Sequence, residues 1–118
     1  MPQLIDSPIR IPVPGGKVID EYVGRVSSST PEVSVARMLA PAGWEEPAQT
    51  PEFDEVTLVL AGSVRVDHEG GSLEVAAGQA VLTRAGERVR YSVGESGAEY
   101  VAVCLPAFAP EMAHRDDD

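Results

Sequence analysis

The residues with chemical potential gather at the head of one apolar run, where Glu52, Phe53, Asp54 and Glu55 lead directly into Val56, Thr57, Leu58, Val59 and Leu60. An acidic cluster at the start of a β-strand places carboxylates at the mouth of whatever that strand builds. A carboxyl drawn out of water works as a general acid or base near neutral pH. The other reactive side chains are sparse. His68 stands beside the turn Glu69-Gly70-Gly71 and His114 in the C-terminal segment. Both read as surface residues, since a metal ligand needs partners converging from several strands. Cys104, the single cysteine, lies in an apolar run with no cation nearby in sequence to activate it, and reads as a small core hydrophobe.

The elements that must hold these groups are short strands punctuated by glycine and proline, and no segment carries a helical period. Ile9, Ile11 and Val13 alternate with Arg10 and Pro12, which predicts an edge strand or an arm. β-rich runs follow at residues 17–26 and 33–40, split by the polar loop Ser27-Ser28-Ser29-Thr30-Pro31. Residues 41–47, with Trp44 at their centre, are too broken for a strand and read as a loop framing a site. Gly62 predicts a tight reversal that makes residues 56–60 and 63–66 a hairpin. Glycine turns at residues 69–71, 77–78 and 84–87 delimit further strands. The cleanest alternation puts Val89, Tyr91 and Val93 on one face and Arg88, Arg90 and Ser92 on the other. Residues 100–105 form a nearly continuous apolar strand, expected to be buried on both sides.

This pattern predicts an all-β fold, a double-sheet jelly-roll barrel in one domain. Residues 1–30 are expected as an N-terminal β-arm with the first strands, 31–108 as the barrel, and 109–118 as a flexible acidic tail. The chain is 118 residues long with a net charge of -10, and Lys17 is the one lysine among nine basic residues. That balance argues against nucleic acid and anionic membranes as partners. With no apolar run of membrane-spanning length, no basic-then-apolar leader and no second cysteine, a cytoplasmic setting is expected.

Gly43, then Glu55-x6-Gly62, then Gly78-x5-Arg84-x-Gly86 follow the spacing of two sequence motifs. With Trp44, Phe53-Asp54-Glu55-Val56, Val59-Leu60-x-Gly62, His68-Glu69-Gly70 and Tyr100-Val101-Ala102-x-x-x-Pro106, the stretch from about residue 43 to 105 resembles the cupin superfamily. Within it the chain is similar to the cupin of ethanolamine-utilization protein Q. The resemblance implies a small β-barrel with a pocket at one end. It also implies a metal site built from a His-x-His pair, the motif glutamate and a third histidine. Here those histidine positions hold Gln49 and Pro51, or in a longer spacing Ala48 and Thr50, and later Val89. Arg84 replaces the motif proline, and Glu55 alone remains. One carboxylate without imidazoles is a poor transition-metal site, so neither metal nor other cofactor is expected.

The resemblance also aims Glu55 into the barrel, where it must be hydrogen-bonded, paired or protonated. It acts there as an acid or base, or simply as structural glue. Arg37 is in phase with Val33, Val35 and Leu39 and is a candidate partner, unless the opposite register turns it to solvent. Tyr91 shares a face with Val89 and is the candidate second acid/base group. Gln49, Glu52 and Trp44 complete the expected ligand-binding set at the mouth, with Trp44 as a lid or a dimer contact. The expected function is metal-independent acid/base chemistry on a small organic molecule, of lyase, isomerase or cyclase type. The alternative is a non-catalytic binding or accessory barrel in an ethanolamine-utilization-like system. Surplus apolar strand surface at residues 9–13 and 101–105 suggests a homodimer.

Overall fold

A computed structural model of the chain describes residues 1–116. Seven antiparallel strands account for about half of it: β1 (Ile9–Ile11), β2 (Val18–Val23), β3 (Ser34–Ala40), β4 (Asp54–His68), β5 (Gly71–Ala76), β6 (Ala80–Thr83) and β7 (Arg90–Leu105). One short helix follows, α1 (Pro110–Ala113). Among the described residues, no helix is long and apolar enough to cross a membrane. The strands form one sheet in the order β1-β2-β3-β7-β4-β5, with β6 on the free side of the first half of β4. This is the expected all-β jelly-roll barrel. β4 and β7, 15 and 16 residues long, pair with each other at both ends and carry the sheet around the core.

That continuity corrects the reading of Gly62 as a reversal. β4 runs straight through it, and the pairing with β7 slips on both sides, between Val59 and Ala61 and between Gly62 and Val64. Such slips bend a strand without ending it. Gly62 has φ +73, and a Cβ on it would sit 2.2 Å from the carbonyl oxygen of Gly97 on β7. The glycine therefore marks a crease where two long strands bend together. For the same reason, residues 90–93 and 100–105, which read as parts of separate strands, are joined in β7. The turns at Gly70-Gly71 and at Gly78 fall as expected. Gly78 N donates to Val59 O at 2.9 Å and Val59 N to Gln79 O at 3.0 Å, which clips β6 onto β4.

The core lies where the bent halves of β4 and β7 face each other. Val59, Val64, Val66, Val75, Val89 and Tyr91 pack there with almost no exposed surface. The strand at residues 100–105 is buried on one side only. Tyr100, Ala102 and Cys104 point inward, whereas Val101 and Val103 are half-buried and Leu105 is exposed. Of the expected tail, residues 109–116 lie against the barrel. Glu52 N donates to Met112 O at 2.9 Å and Asp116 N to Ala48 O at 2.8 Å. Phe108 meets Phe53 edge-on at 5.7 Å. Asp117 and Asp118, the end of that expected tail, lie outside the described residues.

Candidate functional site: a charge cluster inside the barrel mouth

Alternation along the first half of β4 decides which groups enter the barrel. Phe53, Glu55, Thr57 and Val59 face in, and Asp54, Val56, Leu58 and Leu60 face out. Glu55 sits opposite Cys104 of β7 on one side and Thr83 of β6 on the other. It lines a cavity of about 130 Å³ together with Lys17, Glu46, Gln49, Cys104 and Arg115. The Glu55 surface left accessible faces this cavity. Burial raises its pKa, and the charge of Glu46 adds to that rise, bringing it to about 7 despite the opposing pull of Lys17.

Lys17 enters from the turn before β2, and its ammonium lies 4.0 Å from the Trp44 ring centroid and 5.3 Å from that of Tyr100. Aromatic faces stabilise a cation that has left water. Burial lowers the Lys17 pKa, partly offset by Glu46 and Glu55. The Glu46 carboxyl is raised by burial and drawn back by Lys17 and by Arg115, whose guanidinium is 3.5 Å away. Arg115 Nε also reaches Gln49 Oε1 at 3.4 Å. Tyr91 faces inward, its hydroxyl 3.1 Å from Thr83 Oγ1. Burial and then the Glu55 charge push the phenol well above its ordinary value, so it stays a neutral hydrogen-bonding group. The cluster can exchange a proton near neutral pH at Glu55 and can hold one negative charge between Lys17 and Arg115.

Of the residues singled out from sequence, Glu55, Tyr91 and Gln49 face the barrel interior. Trp44 is in the core beneath the Lys17 ammonium, not over the mouth as a lid. Arg37 is a correction. It lies on the outer face and its Nε donates to Glu99 Oε2 at 2.6 Å, because Ser34, Ala36, Met38 and Ala40 are the inward set of β3. Glu52 is a second correction, since its exposed carboxylate is paired with His114 outside the cavity. Lys17, Glu46, Thr83 and Arg115 were missed. A sequence clue existed only for Lys17, the sole lysine, placed directly after Gly15-Gly16 at the start of a strand. Of the motif-histidine positions, Gln49 lines the cavity and pairs with Val89, which is packed in the core. They supply an amide and an alkyl group in place of imidazoles, and among the described residues no three His, Cys, Asp or Glu side chains converge. This donor set does not fit a transition metal, and the positive charge in the cavity comes from side chains.

Comparison with known proteins relates the fold and the sequence in different directions. No family model matches the chain. The fold resembles ethanolamine-utilization protein Q from Salmonella typhimurium, with a TM-score of 0.63 at 22% identity over 78% of this chain and 71% of that one. It also resembles an oxalate decarboxylase variant from Bacillus subtilis, with a TM-score of 0.79 at 18% identity over 94% of this chain and 31% of that one. For KdgF from a Halomonas species the TM-score is 0.71 at 16% identity, covering 85% and 89%. Identities this low relate the folds alone, and the fold is of the cupin type. In sequence, the chain is 50% identical over 107 residues to a Myxococcus xanthus protein named endoribonuclease YbeY. The match takes in 90% of this chain and 36% of the relative, so the chain spans about a third of that relative's length.

This match overturns three expectations at once: a small organic substrate, an ethanolamine-utilization setting, and a partner list without nucleic acid. The charge argument was carried further than one stretch of chain allows. Net charge bears on what one stretch of chain attracts, and it does not decide the partners of a relative about two and a half times as long.

Proposed function

We propose that this barrel serves RNA processing, as the non-cutting module of an endoribonuclease-type protein in the cytoplasm. The observation that carries the reading is the 50% identity over 107 residues to a protein named for that activity, of which those residues make up 36%. In such a protein the phosphodiester chemistry falls to the part outside the barrel, and the barrel supports it.

The surface chemistry favours that division of labour. Gripping a phosphate backbone needs uncommitted cations. Here Arg10, Arg37, Arg65, Arg84, Arg88, Arg90 and Arg115 are each paired with a carboxylate. Arg25 donates to the carbonyls of Ala107 and Pro31, and Lys17 is held inside the mouth. The cavity beside Glu55, about 130 Å³, is well below the roughly 300 Å³ at which ligand pockets usually begin. Its charges balance one another, which suits a role in holding the mouth together.

The test uses the full-length Myxococcus xanthus relative with its matching 107 residues replaced by this chain, alongside this chain by itself. A folded chimera should cut labelled structured RNA as the parent does, and the chain alone should leave it intact. A folded chimera that cannot cut would overturn the reading. So would cleavage by the chain alone that is abolished in Glu55→Gln, because the barrel would then be the nuclease.

A further inference from the structure

We propose that the outer face of the sheet formed by β3, β7, β4 and β6 is the surface on which the RNA-cutting portion of an endoribonuclease-type protein docks. The proposal rests on the function inferred above and names the partner.

Strand register writes this face out in rows. Residues paired across antiparallel strands share a side of the sheet, so Val35, Val103, Val56 and Leu82 form one continuous row. The next row runs from Arg37 through Val101 and Leu58 to Ala80. A third brings Leu39 beside Glu99, with Leu60 at the bulge next to it. An antiparallel sheet that turns one side to water normally alternates apolar-in with polar-out. Here the outward positions carry the larger apolar side chains. Leu58, Leu60, Leu82 and Leu105 are 41%, 47%, 49% and 48% exposed. Contiguous apolar surface of this kind, rimmed by charge, marks an interaction site.

The charges choose the occupant. Asp20 lies next to Arg37 on the same face and is already bonded to Arg10, and Glu99 takes the Arg37 guanidinium, so the basic groups of the face are spent. The exposed Glu32 precedes one end of the face, and the exposed Glu95 stands in β7 beyond the other. A second copy would bring a net charge of -10 against -10. A portion that holds RNA must instead present cations, and its basic surface complements an apolar face with an acidic rim. In the Myxococcus xanthus relative the matched segment and the remainder are one polypeptide, so docking there is intramolecular. A shared chain raises the effective concentration enough for a modest face to stay closed.

The experiment reads the accessibility of the face. Leu58→Cys and, separately, Leu82→Cys are made in this chain and in the full-length chimera, with Leu73→Cys on β5, 48% exposed and away from the face, as the reference site. Native Cys104 is buried and supplies the background. Maleimide labelling at positions 58 and 82 should slow at least tenfold in the chimera relative to the isolated chain, while position 73 labels at one rate in both. Leu58→Glu should restore fast labelling at position 82 of the chimera. Equal rates at positions 58 and 82 in a chimera that folds and cuts RNA would overturn the docking face and leave the functional reading standing. A folded chimera that cannot cut RNA would instead remove that reading. Concentration-dependent protection in the isolated chain, with a sedimentation mass of two copies, would assign the face to a second copy and also overturn the proposal.

Discussion

Asp54 and Glu55 are joined by one peptide bond and occupy different solvents. Asp54 faces out, accepts the Ala85 amide at 2.8 Å and lies 3.6 Å from the Arg84 guanidinium, with water available to both partners. Glu55 faces in, receives among the described residues only a long 3.4 Å side-chain contact from Thr57 Oγ1, and has its pKa raised to about 7. The difference teaches that the pleat of β4, not the acidity of the local sequence, assigns the chemistry. Outside, carboxylates pair cheaply with arginines; inside, each ionisation is weighed against desolvation and against every other charge in the cavity.

The strongest challenge to this contrast is at the apolar positions of the same strand. Phe53→Ala empties a site 1% exposed and removes the ring that Phe108 packs against, so it should lower stability by about 3–5 kcal/mol. Leu58→Ala on the outer side should cost about 1 kcal/mol or less in the same urea titration. Equal losses would mean the two faces of β4 are not different environments.

Glu55→Gln tests the charge itself. The carboxyl is raised in the folded state from an ordinary 4.5 to about 7, so between those values the unfolded chain is ionised while the folded chain keeps its proton. The Glu55 contribution to stability is therefore intact below about pH 4.5, falls as pH rises toward 7, and is level above. The total fall is on the order of 3 kcal/mol. Stability of Glu55→Gln should lack that slope, and parallel pH profiles for the two proteins would place Glu55 in water. Gly62→Ala sharpens the boundary between the two halves of β4. The positive φ and the 2.2 Å approach to Gly97 O should make it cost about 1–3 kcal/mol, read as a lower melting temperature. The smallest effect belongs to the outer pair. A double-mutant cycle on Arg37 and Glu99 should give a coupling of about 0.2–1 kcal/mol that shrinks with added salt.

Much of the barrel was legible because glycine turns and alternation are local signals. The inward side of Glu55 followed from motif spacing, and that of Tyr91 from its phase with Val89. Arg37 was not resolved because both sides of β3 are apolar, and the bulkier set, Val35 and Leu39, turned out to face outward. Hydrophobic phase points to a core only when a strand has one buried side, and this sheet carries apolar residues on two. Lys17, Glu46 and Arg115 meet through barrel closure from distant parts of the chain, which no local pattern encodes. Gly62 misled because a glycine with positive φ serves a hairpin turn and a creased strand equally well. The function was misjudged because composition describes this chain, and the relative's activity belongs to a polypeptide about two and a half times as long.

The strand order has a consequence for how the chain comes into being. β7, the last of the barrel's strands in chain order, is the central one, lying between β3 and the first half of β4. Until residues 90–105 emerge, β3 has one open edge, and Ser34 waits for Cys104. Pairings so distant in sequence form slowly, since a long loop must close before any contact rewards it. The nascent chain therefore passes through a stage with unpaired strand edges and apolar side chains uncovered, the condition in which β-rich chains aggregate or recruit chaperones. An unrelated fast-folding sequence fused after residue 118 should leave the yield of native protein unchanged. A ribosomal stall placed before residue 90 should release mostly insoluble chains.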